Sequence, residues 1–313
     1  MNEIIYKKNA KYYVVLHLLI LSLLTIFTAC NNYNDINGSK NYSSTENDIK
    51  VIFSSNNCFP IGDLYGSSGK MSLQELFKLP NTLSNLKQFN KDLKSNFDYL
   101  ELGFQPVEFM SYYNGDSIFA ENIEYINQEI NISGRKVYVT PLKTIQFGSY
   151  FPDLGTIIHD GRGFSEKDFD FSSNDTVPVV LGYKYSNQYK LGDNIEVNYL
   201  QKDINLKIIG FLNSNTAITI GQDKIELDTY IIIPFFNTND NNAENDKDYI
   251  TFQQRYYLQK NHGYLVYNGS MLEDDKEKII SKLNSEMKII SESNNLDYYI
   301  FSEFDLSIKI ETP

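Results

Sequence analysis

Five clusters of this 313-residue sequence hold side chains with chemistry to offer. Cys30 follows the small residues Thr28 and Ala29 at the end of an apolar run, a setting in which a thiol can be acylated at a membrane surface. The stretch 62–70 (GDLYGSSGK) imitates a phosphate-cradling loop. Its Gly62 and Gly69 are too far apart, however, and Met71 stands where a hydroxyl would hold magnesium, so it reads as a flexible turn. Glu273, Asp274 and Asp275 gather three carboxylates, which suit the positive end of a helix dipole and imply no metal. Segment 237–248 (NTNDNNAENDKD) has the oxygen ligands calcium takes but no glycine at the turn of an EF-hand loop, and reads as a solvated loop. His159 stands beside Asp160 with no nucleophile at a recognisable spacing, and there is neither a G-x-S-x-G elbow nor an H-E-x-x-H pair. The sequence therefore points away from an enzyme. With two cysteines (Cys30, Cys58) and three histidines (His17, His159, His262) it offers no metal, cofactor or disulfide framework.

The segment around Cys30 decides where the chain resides. Lys7, Lys8 and Lys11 precede the run YYVVLHLLILSLLTIFTA, so the lysines stay in the cytoplasm and everything after Cys30 is expected outside the cell membrane. Two readings stay open. The run has about the length that spans a ~30 Å hydrocarbon core as a helix, and it also fits the apolar part of a signal. Phe27-Thr28-Ala29-Cys30 resembles a bacterial lipobox, with Phe in place of the usual Leu. His17 within the run is read as a neutral histidine tolerated in a single anchor. Residues 31–47 are rich in Asn and Ser and form a polar linker. The net charge of -12 excludes a nucleic-acid partner, because such a surface repels a phosphate backbone.

Beyond the linker the periodicity predicts an α+β body. Ile49, Val51 and Phe53 alternate as in a half-buried strand. Ser72 and Glu75 form a capping-box pattern that starts a helix, Pro80 interrupts it, and Leu83, Leu86, Phe89 and Leu93 continue an apolar stripe. A strand over 98–110 follows, bent or placed at an edge by Pro106. The C-terminal part repeats the order: a strand near Tyr264 and Val266, a capping box at Ser270 and Glu273, a stripe through Ile279, Ile280, Leu283, Met287 and Ile290, and a strand over 297–304. Two strand-helix-strand units thus bracket the body. They are expected to form one outer lobe (48–125 and 260–313) with a β-rich lobe (126–259) inserted, preceded by the apolar helix of residues 1–30.

In the central part, 131–142 reads as a strand, 177–181 as a buried strand, 183–189 as a short helix or turn, and 195–199 with 204–211 as a hairpin. The order of motifs is Gly161-Arg162-Gly163-Phe164, Asp168, Val177 to Gly182, Leu191-Gly192-Asp193, Ile208-Ile209-Gly210-Phe211, then the strand 230–234. It resembles the MacB-like periplasmic core domain of FtsX-like ABC transporter permeases, most clearly over 137–236. The resemblance implies a two-lobed domain outside the membrane that follows a first transmembrane helix. It also implies an ABC ATPase subunit and further permease helices as partners, with ATP hydrolysis driving export of peptides, drugs or lipoproteins by mechanotransmission. This chain has no apolar run of membrane length after residue 30, so a truncated or split permease is expected. The alternative is a free-standing, membrane-anchored lipoprotein of the same fold with a binding role. The residues marked as structural are Gly161, Arg162, Phe164, Asp168, Gly192, Asp193 and Gly210, with Arg162 pairing either Asp168 or Asp193.

Overall fold

The computed structural model describes residues 49–65, 71–132, 134–149, 157–171, 176–220, 223–238, 247–267, 273–301 and 304–311. The apolar run, Cys30, the linker, positions 66–70 and 150–156, the acidic stretch 239–246 and Ser270 lie outside the described residues. The described chain is a mixed α+β fold with two main sheets. Among the described residues, no helix is long and apolar enough to cross a membrane.

Strand β1 (Ile49–Asp63) comes first and leads to a single helical turn, α1 (Leu73–Leu76). The capping box is made in both directions: Ser72 N donates to Glu75 Oε2 at 2.8 Å, and Glu75 N donates to Ser72 Oγ at 3.3 Å. The chain breaks at Pro80 and restarts as α2 (Thr82–Asn96), whose Leu86, Phe89 and Leu93 are buried. The stretch expected as one strand over 98–110 is three: β2 (Asp98–Leu100), β3 (Leu102–Gly103) and β4 (Val107–Phe109). Glu101 separates the first two, and the loop holding Pro106 separates the third. The strand expected at 131–142 is likewise a hairpin of β5 (Gln128–Ile132) and β6 (Arg135–Leu142), because Gly134 takes φ 84° and reverses the chain.

The middle of the chain gives β7 (Thr144–Phe147), β8 (Ile158–Gly161), β9 (Asp170–Phe171), β10 (Val177–Leu181), β11 (Asn194–Tyr199) and β12 (Lys202–Leu212). The β11–β12 turn is Leu200-Gln201, both with positive φ, shorter than the connection over 200–203 that a hairpin of 195–199 with 204–211 implies. Then come β13 (Ala217–Ile220), β14 (Asp223–Glu226), β15 (Ile231–Pro234) and β16 (Asn237–Thr238). A helix not anticipated from sequence, α3 (Lys247–Lys260), leads into β17 (Tyr264–Val266), α4 (Glu273–Ser293), β18 (Tyr298–Ile300) and β19 (Phe304–Glu311).

The five-stranded sheet has the order β18-β1-β17-β2, with β19 also on β1. Its strands come from both ends of the chain. The ten-stranded sheet runs β3-β7-β15-β10-β12-β11-β4-β6-β5, with β8 also on β12. Its middle strands β10 and β15 are apolar and buried along nearly their whole length, the pattern of strands covered on both faces. Strand β12 is long enough to be shared: β11 pairs with 202–207 and β8 with 210–212, while β10 runs parallel on the other side. Aromatic rings fill the space between α3 and the sheet, with Tyr256 stacked on Phe236 at 4.6 Å and edge-on to Tyr199 at 6.2 Å.

Candidate functional site

The handover on β12 gathers most of the residues singled out from sequence. Gly161 pairs with Gly210, Arg162 N donates to Ile209 O at 2.9 Å, Gly192 N donates to Ile208 O at 2.9 Å, and Ile208 N donates to Asp193 O at 3.0 Å. The end of β8 and the start of β11 therefore meet at 207–210. A Cβ on Gly161 would lie 2.4 Å from Ile209 O, and one on Gly210 would lie 2.4 Å from Arg162 O, so the backbones touch where side chains are absent. Of the two expected acidic partners, Arg162 takes Asp168, in a two-pronged pair at 2.5 and 2.9 Å. Asp168 also accepts from Ser165 N and Oγ at 2.6 and 2.7 Å. Burial pushes the Asp168 carboxyl up, but Arg162 and Ser165 outweigh it and hold it below the usual range. Asp193 accepts instead from Lys190 N at 2.8 Å and closes its own turn. Phe164 packs edge-on to Phe169 at 5.9 Å.

A second constellation, invisible in the sequence, sits where the chain crosses between the two sheets. The first crossing is Glu101, between β2 of the small sheet and β3 of the large one. The second is 235–237, where the chain leaves β15 on its way to α3. Lys260, the last residue of α3, joins them: its Nζ donates to Phe236 O at 2.9 Å, Phe235 O at 3.2 Å and Asn237 Oδ1 at 3.1 Å, and lies 3.7 Å from Glu101 Oε1. Glu101 is also paired with Lys94 of α2 at 2.8 Å and accepts from Asn90 Nδ2 at 3.3 Å. Next in line, Asn261 accepts from Asn90 Nδ2 at 2.9 Å and donates to Leu86 O at 3.1 Å. His262 Nε2 then meets Asp63 Oδ2 at 2.7 Å at the end of β1. Three consecutive residues, 260 to 262, thus bind the large sheet's exit, helix α2 and strand β1.

The electrostatics follow from burial. The Lys260 side chain is wholly enclosed and Glu101 is 4 % exposed. Burial pulls the Lys260 amine down to about 8; Glu101 opposes the shift and Lys94 adds to it. Tyr99 OH donates to Lys260 O at 2.5 Å and accepts from Gly263 N at 3.1 Å, and burial raises its pKa well above the ordinary value.

The chain matches no protein-family model, and no curated protein is similar to it.

His159 stacks edge-on to Tyr183 at 5.2 Å. Among the described residues, no three His, Cys, Asp or Glu side chains gather as a metal site would require. Of Glu273 to Asp275 the described part is the helical backbone they begin. The constellation at 260–262 was missed because lysine is ordinarily a surface residue, so nothing in its own neighbourhood marks it as buried. The spacing Tyr249, Phe252, Tyr256, Tyr257 is the available signal: a helical apolar stripe whose last turn must reach the core.

Proposed function

We propose that this chain is the extracytoplasmic domain of an ABC transporter permease of the FtsX/MacB-like kind, held by one N-terminal anchor. It works with an ATPase subunit and permease membrane helices, and passes on movement rather than performing chemistry. The supporting observation is the convergence of Gly161, Arg162, Gly192, Asp193 and Gly210 on one corner of β12. Those residues carried the resemblance, and their types suit close backbone contact. In this reading the five-stranded sheet with α2 and α4 is the outer lobe and the ten-stranded sheet is the inserted one. The polar constellation at Glu101 and Lys260 lies at both chain crossings, where a displacement of one lobe would be handed to the other. A junction for that purpose has to resist local opening, and buried, mutually hydrogen-bonded groups supply that resistance.

The test uses the full chain, tagged and extracted in mild detergent from cells. Recovery of an ABC ATPase with a permease partner is the expected result. Isolation of the chain alone, with radioactive palmitate incorporated at Cys30 and the apolar run removed, would instead establish the lipid-anchored binding protein. Protease added to intact cells should digest the body; protection before lysis and digestion after it would overturn both readings.

A further inference from the structure

The ten-stranded sheet ends at β5, and among the described residues no strand pairs with the outer side of that edge. Gln128, Glu129 and Asn131 are exposed, and Ile130 and Ile132 are half-buried. Sheets commonly blunt a free edge with proline, a bulge or several charges. Strand β5 has no proline, its register with β6 is unbroken, and Glu129 is its one charge. Two residues separate Ile132 from Arg135, and a hairpin with so short a loop closes on a hydrogen-bonded pair. Bonded and non-bonded pairs then alternate, so Ile132, Ile130 and Gln128 bond to β6, while the N–H and C=O groups of Glu129 and Asn131 point outward. Side chains alternate too. Glu129 and Asn131 lie on one face, with Glu129 paired to Lys136 at 2.8 Å, and Ile130 and Ile132 lie on the other with half-buried Val137. Asn131 spends its Oδ1 on Gly134 N at 2.8 Å, which leaves Nδ2 to donate.

We propose that β5 pairs antiparallel with β5 of a second copy of this chain, about a two-fold axis at Ile130, so that the two large sheets become one. Outward groups must meet outward groups, and that requirement leaves few registers. An axis at Glu129 would set two carboxylates directly opposite each other, and one at Asn131 would set Glu129 against position 133 of the other hairpin's loop. With the axis at Ile130, Glu129 of each copy faces Asn131 of the other. Each of these two pairs exchanges main-chain hydrogen bonds, and the carboxylate accepts from the facing Nδ2. Lys136, cross-strand from Asn131, stands in the same row as the second copy's Glu129 and complements its charge. On the other face Ile130 meets Ile130 with a Val137 on either side, an aliphatic row that each copy alone leaves half in water. The charge balance also suits a second copy at this place. The hairpin 128–142 sets Arg135 and Lys136 against Glu129 alone, on a chain of net charge -12, so two copies meet here without the repulsion that their net charges otherwise impose. This inference stands apart from the transporter reading, since it depends only on the hairpin.

The test uses the full chain in mild detergent, with far-ultraviolet circular dichroism to check that each variant keeps its fold. Size-exclusion chromatography with light scattering, the detergent subtracted, should give the mass of two copies at tens of micromolar. In a Cys30→Ser background, Ile130→Cys should form a disulfide between copies under mild oxidation, because directly opposed, non-hydrogen-bonded residues lie about 4.5 Å apart at Cα, within the span of a disulfide. Glu129→Cys should not, because its two copies are offset diagonally by about 7–8 Å. Asn131→Asp keeps the acceptor for Gly134 N but opposes carboxylates twice, and should raise the dissociation constant about tenfold. Adding Glu129→Gln to Asn131→Asp should restore the dimer. A single copy from wild type, or a dimer that persists while Ile130→Cys stays unlinked, would overturn the proposal. Asn131→Asp chains that pair as tightly as wild type would overturn the register.

Discussion

Replacing Gly161 and Gly192 separately by alanine separates two kinds of strain that the same residue type can relieve. Both have positive φ, 81° and 88°, so alanine at either site pays the left-handed penalty of about 1–2 kcal/mol. Around Gly192 there is open space, and the penalty ends there. At Gly161 the added Cβ would lie 2.4 Å from Ile209 O and 2.9 Å from Gly210 Cα. Those are backbone atoms, which cannot rotate aside, so β8 must lift from β12. That movement threatens the Arg162 N to Ile209 O bond and costs a further 1–3 kcal/mol or so by overpacking. The expected losses are therefore about 1–2 kcal/mol for Gly192→Ala and about 2–5 kcal/mol for Gly161→Ala. Urea unfolding of the full chain in detergent, followed by far-ultraviolet circular dichroism, measures both. Equal losses, or a larger loss at Gly192, would refute the contact reasoning at β12.

Lys260→Met should destabilise the protein by about 3 kcal/mol or more in the same assay, because two buried carbonyls lose their donor and Glu101 loses one of its two cationic partners, whereas Lys94→Met at the solvent edge should cost under about 1 kcal/mol. The Asp168 carboxyl is held below its ordinary range in the folded state, so its contribution is present at neutral pH and disappears as pH falls through the folded value. The stability gap between wild type and Asp168→Asn should accordingly narrow below about pH 4. Burial raises the Glu108 carboxyl from 4.5 to about 7, so the folded chain keeps a proton that the unfolded chain releases, and stability falls as pH rises across that interval. Glu108→Gln should gain about 1–2 kcal/mol at pH 8, discounted for its partial exposure, and nothing at pH 4.

What could be read from sequence was local. Ser72 and Glu75 stand one helical turn apart, so their mutual capping needs no tertiary context, and the stripe Leu86, Phe89 and Leu93 records a single buried face. The hairpin at 128–142 was hidden because strand-forming residues flank Gly134 on both sides and make the run look continuous. Helix α3 was hidden for a related reason: its stripe is built from Tyr and Phe, which favour strands, and it follows an Asn- and Asp-rich stretch. The glycines of the β12 corner were legible as turns or close approaches. The choice of Asp168 over Asp193 for Arg162 was not, because it depends on Asp193 being occupied with its own turn. Glu101 and Lys260 are far apart in the chain, and their meeting is a property of the packed fold alone.

Among the described residues, strand β1 draws all its strand partners from the last fifty or so positions of the sequence: β17, β18 and β19. A chain made from its amino end must therefore hold β1 unpaired until about the last fifty residues arrive, a delay that non-local sheet pairing imposes on folding rate. During that wait the strand has both edges open to strangers, the circumstance in which chains stick to one another. Productive maturation then depends on a holdase or on slow emergence of the chain, and overproduction should favour aggregates in which this strand is the adhesive.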